Sequence, residues 1–191
     1  QERSRSNSHA YFLVLGNPSD DFDFRSLGGY LQGSWNPSPA LEVSLAGRLD
    51  ALRVNWRGQT TVENEVDQFV PVPRFHLRWN MSQVLVSRFS AGLGYRAPLT
   101  FFESEHGILD EGYSVLVNKI ERSTSAVYSL SFDNDRTTAT ASLAWTGIHD
   151  LAYVNFHTGG RPALMTDTGS HDVFAADAVV GYQLTKSVTL G

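Results

Sequence analysis

Residues 123–146 constrain the fold of this chain more tightly than any other stretch. Taken by twos, Thr124, Ala126, Tyr128, Leu130 and Phe132 fall on one side, and Ser123, Ser125, Val127, Ser129 and Ser131 on the other. Asp133-Asn134-Asp135-Arg136 follows, a turn cluster. The alternation then resumes, with Ala139, Ala141, Leu143 and Trp145 opposed by Thr138, Thr140, Ser142 and Thr146. Period-two alternation on both sides of a tight polar turn predicts a β-hairpin. Its polar face is nearly all Ser and Thr, small and uncharged, which suits a hydrated interior. Its other face is smooth, apolar and aromatic near the ends, which suits lipid. Apolar-out, polar-in strands are the signature of a transmembrane β-barrel.

The bulk properties permit this. A chain of 191 residues can form one domain with a sizeable core. A net charge of -5 argues against a nucleic-acid surface, which needs clustered Lys and Arg. The absence of Cys rules out disulfides and thiolate zinc sites. No apolar run reaches the roughly 20 residues of a membrane-spanning helix, but barrel strands hide half their residues from such a test. No signal-peptide pattern opens the chain, and Gln1 begins a polar stretch, as in a mature product or an excised segment.

Residues 1–8 read as polar and unpatterned. Residues 10–15 read as a short strand, and residues 27–35 as a longer one. Asn36-Pro37-Ser38-Pro39 turns the chain into residues 41–49, where Leu41, Val43, Leu45 and Leu49 share a face. The phase slips near Ala51 and Leu52, which predicts a bulge or the start of a loop. Phe69, Pro71, Pro73, Phe75, Leu77 and Trp79 then oppose Arg74, His76, Arg78 and Asn80. Two prolines in one strand argue for an edge position. Residues 85–95 form the next strand. Residues 96–120 and 149–171 read as long irregular loops, and residues 174–184 as another smooth strand.

Connections alternate between short ones, at 36–39, 80–83, 133–136 and 185–187, and longer polar ones. Outer-membrane barrels pair short periplasmic turns with longer outer loops. Trp35, Trp79, Phe132 and Tyr182 precede short turns with the apolar parity. Phe69, Tyr95, Trp145 and Phe174 share it farther up, as aromatic girdles at two interfaces would. A soluble β-sandwich also alternates, but its turns should be comparably short at both ends. The expected fold is therefore all-β: an antiparallel transmembrane β-barrel. About nine strands are counted. An open sheet at membrane depth would leave backbone groups unpaired, so the strands are expected to be part of a larger barrel. Inward Arg48, Asp50, Arg74, Arg78 and Arg88 suit a wide, wet or plugged lumen.

Gly94-Tyr95-Arg96-Ala97-Pro98, closing a strand and opening a long loop, resembles a recurrent stretch of TonB-dependent outer-membrane receptors. So do Gly47-Arg48-Leu49-Asp50, Tyr30-Leu31-Gln32 before Trp35-Asn36-Pro37, and Glu121-Arg122-Ser123. These short similarities follow the family's order over most of the chain. The Pro-Glu usual after the long loop is here Ile120-Glu121. The resemblance implies that residues 1–191 belong to one domain, the later part of a barrel of about 22 strands. It implies a bacterial outer-membrane location, with lipid around the barrel and an N-terminal plug domain inside it. It also implies import of a scarce large ligand, such as a metal chelate, haem, cobalamin or glycan, with energy from the TonB complex delivered through the plug. The plug, the energy-coupling segment and the closing strands are not recognisable in these residues. No cofactor and no nucleic-acid partner is implied.

Candidate ligand-binding residues fall on the two long loops: Phe101, Phe102, Glu103, Glu105 and His106 on the first, Tyr153, Phe156 and His157 on the second. Two carboxylates and an imidazole beside two aromatics could touch a metal, a chelate or an aromatic ligand. The bland alternative is a solvated acidic loop with a hydrophobic anchor. His149, His157 and His171 are expected to share the outer end with His106, which leaves metal or haem uptake open. No nucleophile–base–acid arrangement stands out. A small outer-membrane barrel enzyme, and a passive porin or adhesin barrel, stay as alternatives to the receptor.

Overall fold

The computed structural model describes residues 2–6, 22–56, 65–97, 114–117, 119–155, 163–185 and 188–190. These form one sheet built around seven long strands: β2 (Phe22–Ser38), β3 (Leu41–Trp56), β4 (Glu65–Asn80), β5 (Leu85–Arg96), β7 (Glu121–Asp133), β8 (Thr137–Asn155) and β9 (Ala163–Thr185). Short strands β1 (Glu2–Ser6) and β10 (Val188–Leu190) lie at its two edges. Each sequential pair of the path is antiparallel, while β6 (Ser114–Val115) pairs parallel with β9 at Ala163 and Leu164. The strand expected at 10–15 lies outside the described residues, and β1 occupies part of the stretch read as unpatterned.

The opening hairpin stands as its alternation predicts, with Ala126 opposite Trp145, Tyr128 opposite Leu143 and Ser129 opposite Ser142. Asn134 Oδ1 accepts from the N–H of Arg136 and of Thr137, which fixes the turn. Antiparallel pairing places the turns at 39–40, 81–84 and 134–136 at one end. The connections following β3, β5 and β8 lie at the other.

The ladders carry each apolar position across the sheet. Leu27, Ala51 and Phe69 are neighbours on one face, as are Trp35, Val43, Leu77 and Phe89, and as are Ala126, Trp145 and Phe174. Phe174 is 76% exposed and Phe69 72%. From Phe69 to Trp79 is a rise of about 33 Å along the strand, or roughly 24 Å vertically at a 45° tilt, the height of a lipid-facing band. Above that band the same face turns polar. The row beyond Leu27–Ala51–Phe69 is Arg25–Arg53–Asp67, with Arg25 paired to Asp23 and Arg53 to Glu65. On β8 and β9, Trp145 Nε1 donates to Asp172 Oδ1 at 2.9 Å, a polar handle of the kind found at an aromatic girdle.

Two expectations change here. No bulge interrupts β3 at Ala51 and Leu52, because its register to β2 and β4 runs unbroken through that point. The strand stays regular and its surroundings change. Past the apolar band, Leu52 and Val54 point inward and are buried. Residues 149–171 are not one irregular loop either: β8 runs to Asn155 and β9 starts at Ala163. A bulge divides this extension. Asp150, at φ 54°, faces Thr168 and Gly169 between the pairs His149–Ser170 and Leu151–Asp167. At 19 residues, β8 is about 63 Å long, well beyond the 9–11 residues that cross a bilayer.

The prolines of β4 explain a local opening of the sheet. Pro71 and Pro73 pair with Leu49 and Gly47 of β3. On the other side, the β4–β5 ladder ends at Arg74–Gly92, directly beside Pro73. Proline has no N–H to donate to a ladder. So β4 is an interior strand below Arg74 and an edge toward β5 above it.

Candidate functional site

The inner face of the sheet is polar within the apolar band and apolar above it. Leu52, Val54, Val66, Val70, Val117, Ile120, Ala152 and Leu164 form one buried cluster. Its members come from β3 and β4, from β8 and β9, and from the segment between β5 and β7. That segment reaches across to β9 before returning to β7. The Leu116 N–H donates to Leu164 O at 2.8 Å, and Val117 and Ile120 are buried against both sides. Residues 114–117, with 119 and 120, therefore act as a strap across the inner face at the long-connection end. Lys119 Nζ, 3.4 Å from Asp150 Oδ1, adds an exposed ion pair.

Beneath the cluster lies a cavity of about 660 Å³, lined by residues that include Tyr30, Gln32, Arg48, Asp50, Arg74 and Tyr95. Asp50 is 0% exposed. A buried carboxylate has to be paired, and Asp50 is paired twice. Arg48 Nε lies 2.8 Å from Oδ1 and 2.7 Å from Oδ2, and the Tyr95 hydroxyl donates to Oδ2 at 2.8 Å. Gly28, opposite Asp50, makes the room: a Cβ there would collide with the carboxylate.

Tyr95 corrects the sequence reading, which put it in the outward girdle. It shares the parity of Phe89 and Leu93, yet it packs against the inner cluster and bonds Asp50. The cause is the opening beside Pro73, above which β5 is free of β4 and its tyrosine turns in. Parity cannot reveal such a turn; the signal was the proline pair. Tyr95→Phe removes a hydrogen bond to a charged group and should destabilise the complete barrel by about 1.5–3 kcal/mol. Chemical denaturation of both forms in the same detergent would read this. Equal midpoints would mean that the Tyr95–Asp50 bond contributes nothing.

Of the residues expected to contact ligand, Phe101, Phe102, Glu103, Glu105, His106, Phe156 and His157 lie outside the described residues. Tyr153 is on the upper part of β8, 38% exposed, and alternates with Ala152, which is buried in the cluster. His149 and His171 do not come together. They sit in adjacent rows of the β8–β9 ladder, opposite Ser170 and Ile148, and so on opposite faces. Among the described residues no group of three His, Asp or Glu side chains could hold a metal ion. Asp167, above the apolar band, is held below the usual carboxylate range. The Gly169 N–H is the larger cause, and His171, with Nε2 3.0 Å from Oδ2, the next.

Comparison with known proteins agrees with this geometry. The family model described as TonB dependent receptor-like, β-barrel, matches residues 2–168. No curated protein matches the chain. Among solved structures, the FrpB iron transporter from Neisseria meningitidis (F3-3 variant) superposes with a TM-score of 0.68 at 16% identity, over 90% of this chain and 24% of its own. The copper transporter OprC gives 0.68 at 15% identity, over 87% and 28%. The alcaligin outer-membrane receptor FauA from Bordetella pertussis gives 0.58 at 16% identity, over 89% and 29%. The chain thus spans about a quarter of the length of these structures. With an apolar band outside, a polar wall inside and a family match over most of its length, the chain belongs to the TonB dependent receptor-like β-barrels of the bacterial outer membrane.

Proposed function

We propose that this chain forms part of the barrel of a receptor that binds a scarce, large ligand and imports it with energy supplied through TonB. The observation that carries the reading is the inner wall. It holds a charged and aromatic cavity around Asp50, with a buried apolar cluster above it that includes Val117 and Ile120, where a lumen exchanging ligand with the outside would need both. The names of the similar structures support it, since two are called transporters, of iron and copper, and a third a receptor for alcaligin. In this reading residues 1–191 are one part of a single barrel domain of about 22 strands. Further strands close the barrel, a plug domain fills it, and the TonB complex acts through that plug. Phe101, Phe102, Glu103, Glu105, His106, Tyr153, Phe156 and His157 line the outer vestibule, aromatics supplying contact area and polar groups orientation.

The test uses the complete receptor in cells lacking other receptors of the family, with and without TonB. Accumulation of iron and copper, each supplied free and as chelates, is measured by elemental analysis. The expected result is uptake of at least one form that stops without TonB and weakens when Phe102, Glu105, His106 and His157 are replaced by alanine. Uptake indifferent to TonB would identify a passive pore instead.

A further inference from the structure

From the wall of the Asp50 cavity downward, β4 presents Arg74, His76 and Arg78 in succession on the inner face. Cross-strand register sets Arg78 directly opposite Arg88 of β5. Like charges facing one another across a ladder are destabilising. Arg88 is anchored, with Nη1 donating to Ser131 Oγ at 3.0 Å. Arg78 Nε is shielded from solvent and has no hydrogen-bond partner. Glu42 faces Arg78 from β3, but no ion pair joins them among the described residues. Three arginines therefore stand against one glutamate, and Arg48 is already committed to Asp50.

Open space lies at the upper end of this row, beside Arg74 and His76. Arg74 and His76 form a ridge between the cavity of about 660 Å³ and a second of about 430 Å³. The second is floored by Ser90, Gly92, Ser123 and Ser125. Gly92 fits closely there, since a Cβ would lie 3.0 Å from the Arg74 side chain and 3.2 Å from Pro73 O and would press on both.

We infer that Arg78 and Arg88, opposed across the ladder and continued along β4 by Arg74, form a carboxylate-binding site on the lumen wall. A guanidinium fork matches a carboxylate in two parallel hydrogen bonds, and one carboxylate received between the opposed Arg78 and Arg88 would cancel their mutual repulsion. The carboxylate has two possible sources: an acidic side chain of the domain filling the lumen, or an acidic group on the imported ligand. The inference rests on the receptor reading for what fills the lumen, but the register of Arg78 with Arg88 is independent of it.

The complete receptor is prepared as wild type, as the double variant Arg78→Gln/Arg88→Gln, and as Arg78→Lys/Arg88→Lys. Thermal midpoint and bilayer conductance are measured without ligand, and citrate is titrated by calorimetry. If the carboxylate belongs to the protein, the glutamine pair lowers the ligand-free midpoint and raises conductance. If it belongs to a solute, the midpoint holds and citrate binding weakens by about tenfold or more. A higher midpoint with unchanged citrate binding would overturn the site, showing repulsion relieved and no counter-ion lost. Unchanged values throughout would overturn it too. Should the glutamine pair fail to assemble, the lysine pair keeps the charge but loses the fork, and the same readings decide. Import that ignores TonB would sink the receptor reading and leave these measurements standing.

Discussion

Arginine at Leu143 lowers the stability of the complete barrel in lipid vesicles by about 2–4 kcal/mol, whereas arginine at Ser142 changes it little. Leu143 is 63% exposed in the sheet and sits midway between the polar rows that bound the apolar band on β8, Thr137 below and His149 above. Its neighbours across the ladders are Tyr128 and Ala176, so neither offers a carboxylate to pair with a guanidinium. Ser142 is one residue away, and its neighbours are Ser129 and Asp177 on the hydrated side. An arginine there meets water and a carboxylate. Urea titration of folding into vesicles separates the two variants. Equal losses would mean that the two faces do not differ as lipid and lumen, and a larger loss at Ser142 would mean that the sheet is turned inside out.

The hairpin at 123–146 was legible because both its environments are uniform. Lipid demands apolar side chains at every second position, and the small Ser/Thr face does not interrupt that period. Where lipid ends, the code ends with it. Leu52 and Val54 continue a regular strand, but their apolar side chains belong to the inner cluster, so an unbroken β3 read as a slip of phase. The upper halves of β8 and β9 read as a loop for the same reason, since neither face of His149 to Asn155 meets lipid. The candidate site was less legible than the fold. Asp50 and Arg48 could be placed inward by parity. Their meeting with Tyr95 depends on a ladder that stops at Pro73, a long-range consequence that no local pattern records. The arginine pair at 78 and 88 likewise exists only through register between two strands. Most of the loop residues expected to meet ligand fall outside the described part of the chain, so their role stays with the proposal.

Ile120→Ala should release the strap without loosening the sheet below it. Ile120 is 1% exposed, and together with Val117 it joins β3 and β4 to β8 and β9. Among the described residues, the other attachments of residues 114–117 and 119–120 are slight: two ladder pairs to β9, the Leu116 N–H to Leu164 O bond, and the Lys119–Asp150 pair. An exposed ion pair of that kind contributes about 0–1 kcal/mol. Truncating a buried isoleucine to alanine removes about 2–5 kcal/mol. At the lower figure, local opening becomes about 30-fold more frequent. Hydrogen exchange at the Leu116 amide, measured in the complete receptor, should accelerate by that factor or more. The Leu130 amide, deep in the β7–β8 hairpin, should keep its rate, because local openings draw on the least stable contacts first. Lys119→Ala should move neither amide appreciably. Unchanged exchange at Leu116 in the Ile120 variant would mean that the strap is held by something other than its apolar side chains. The buried cluster would then line the mouth without closing it.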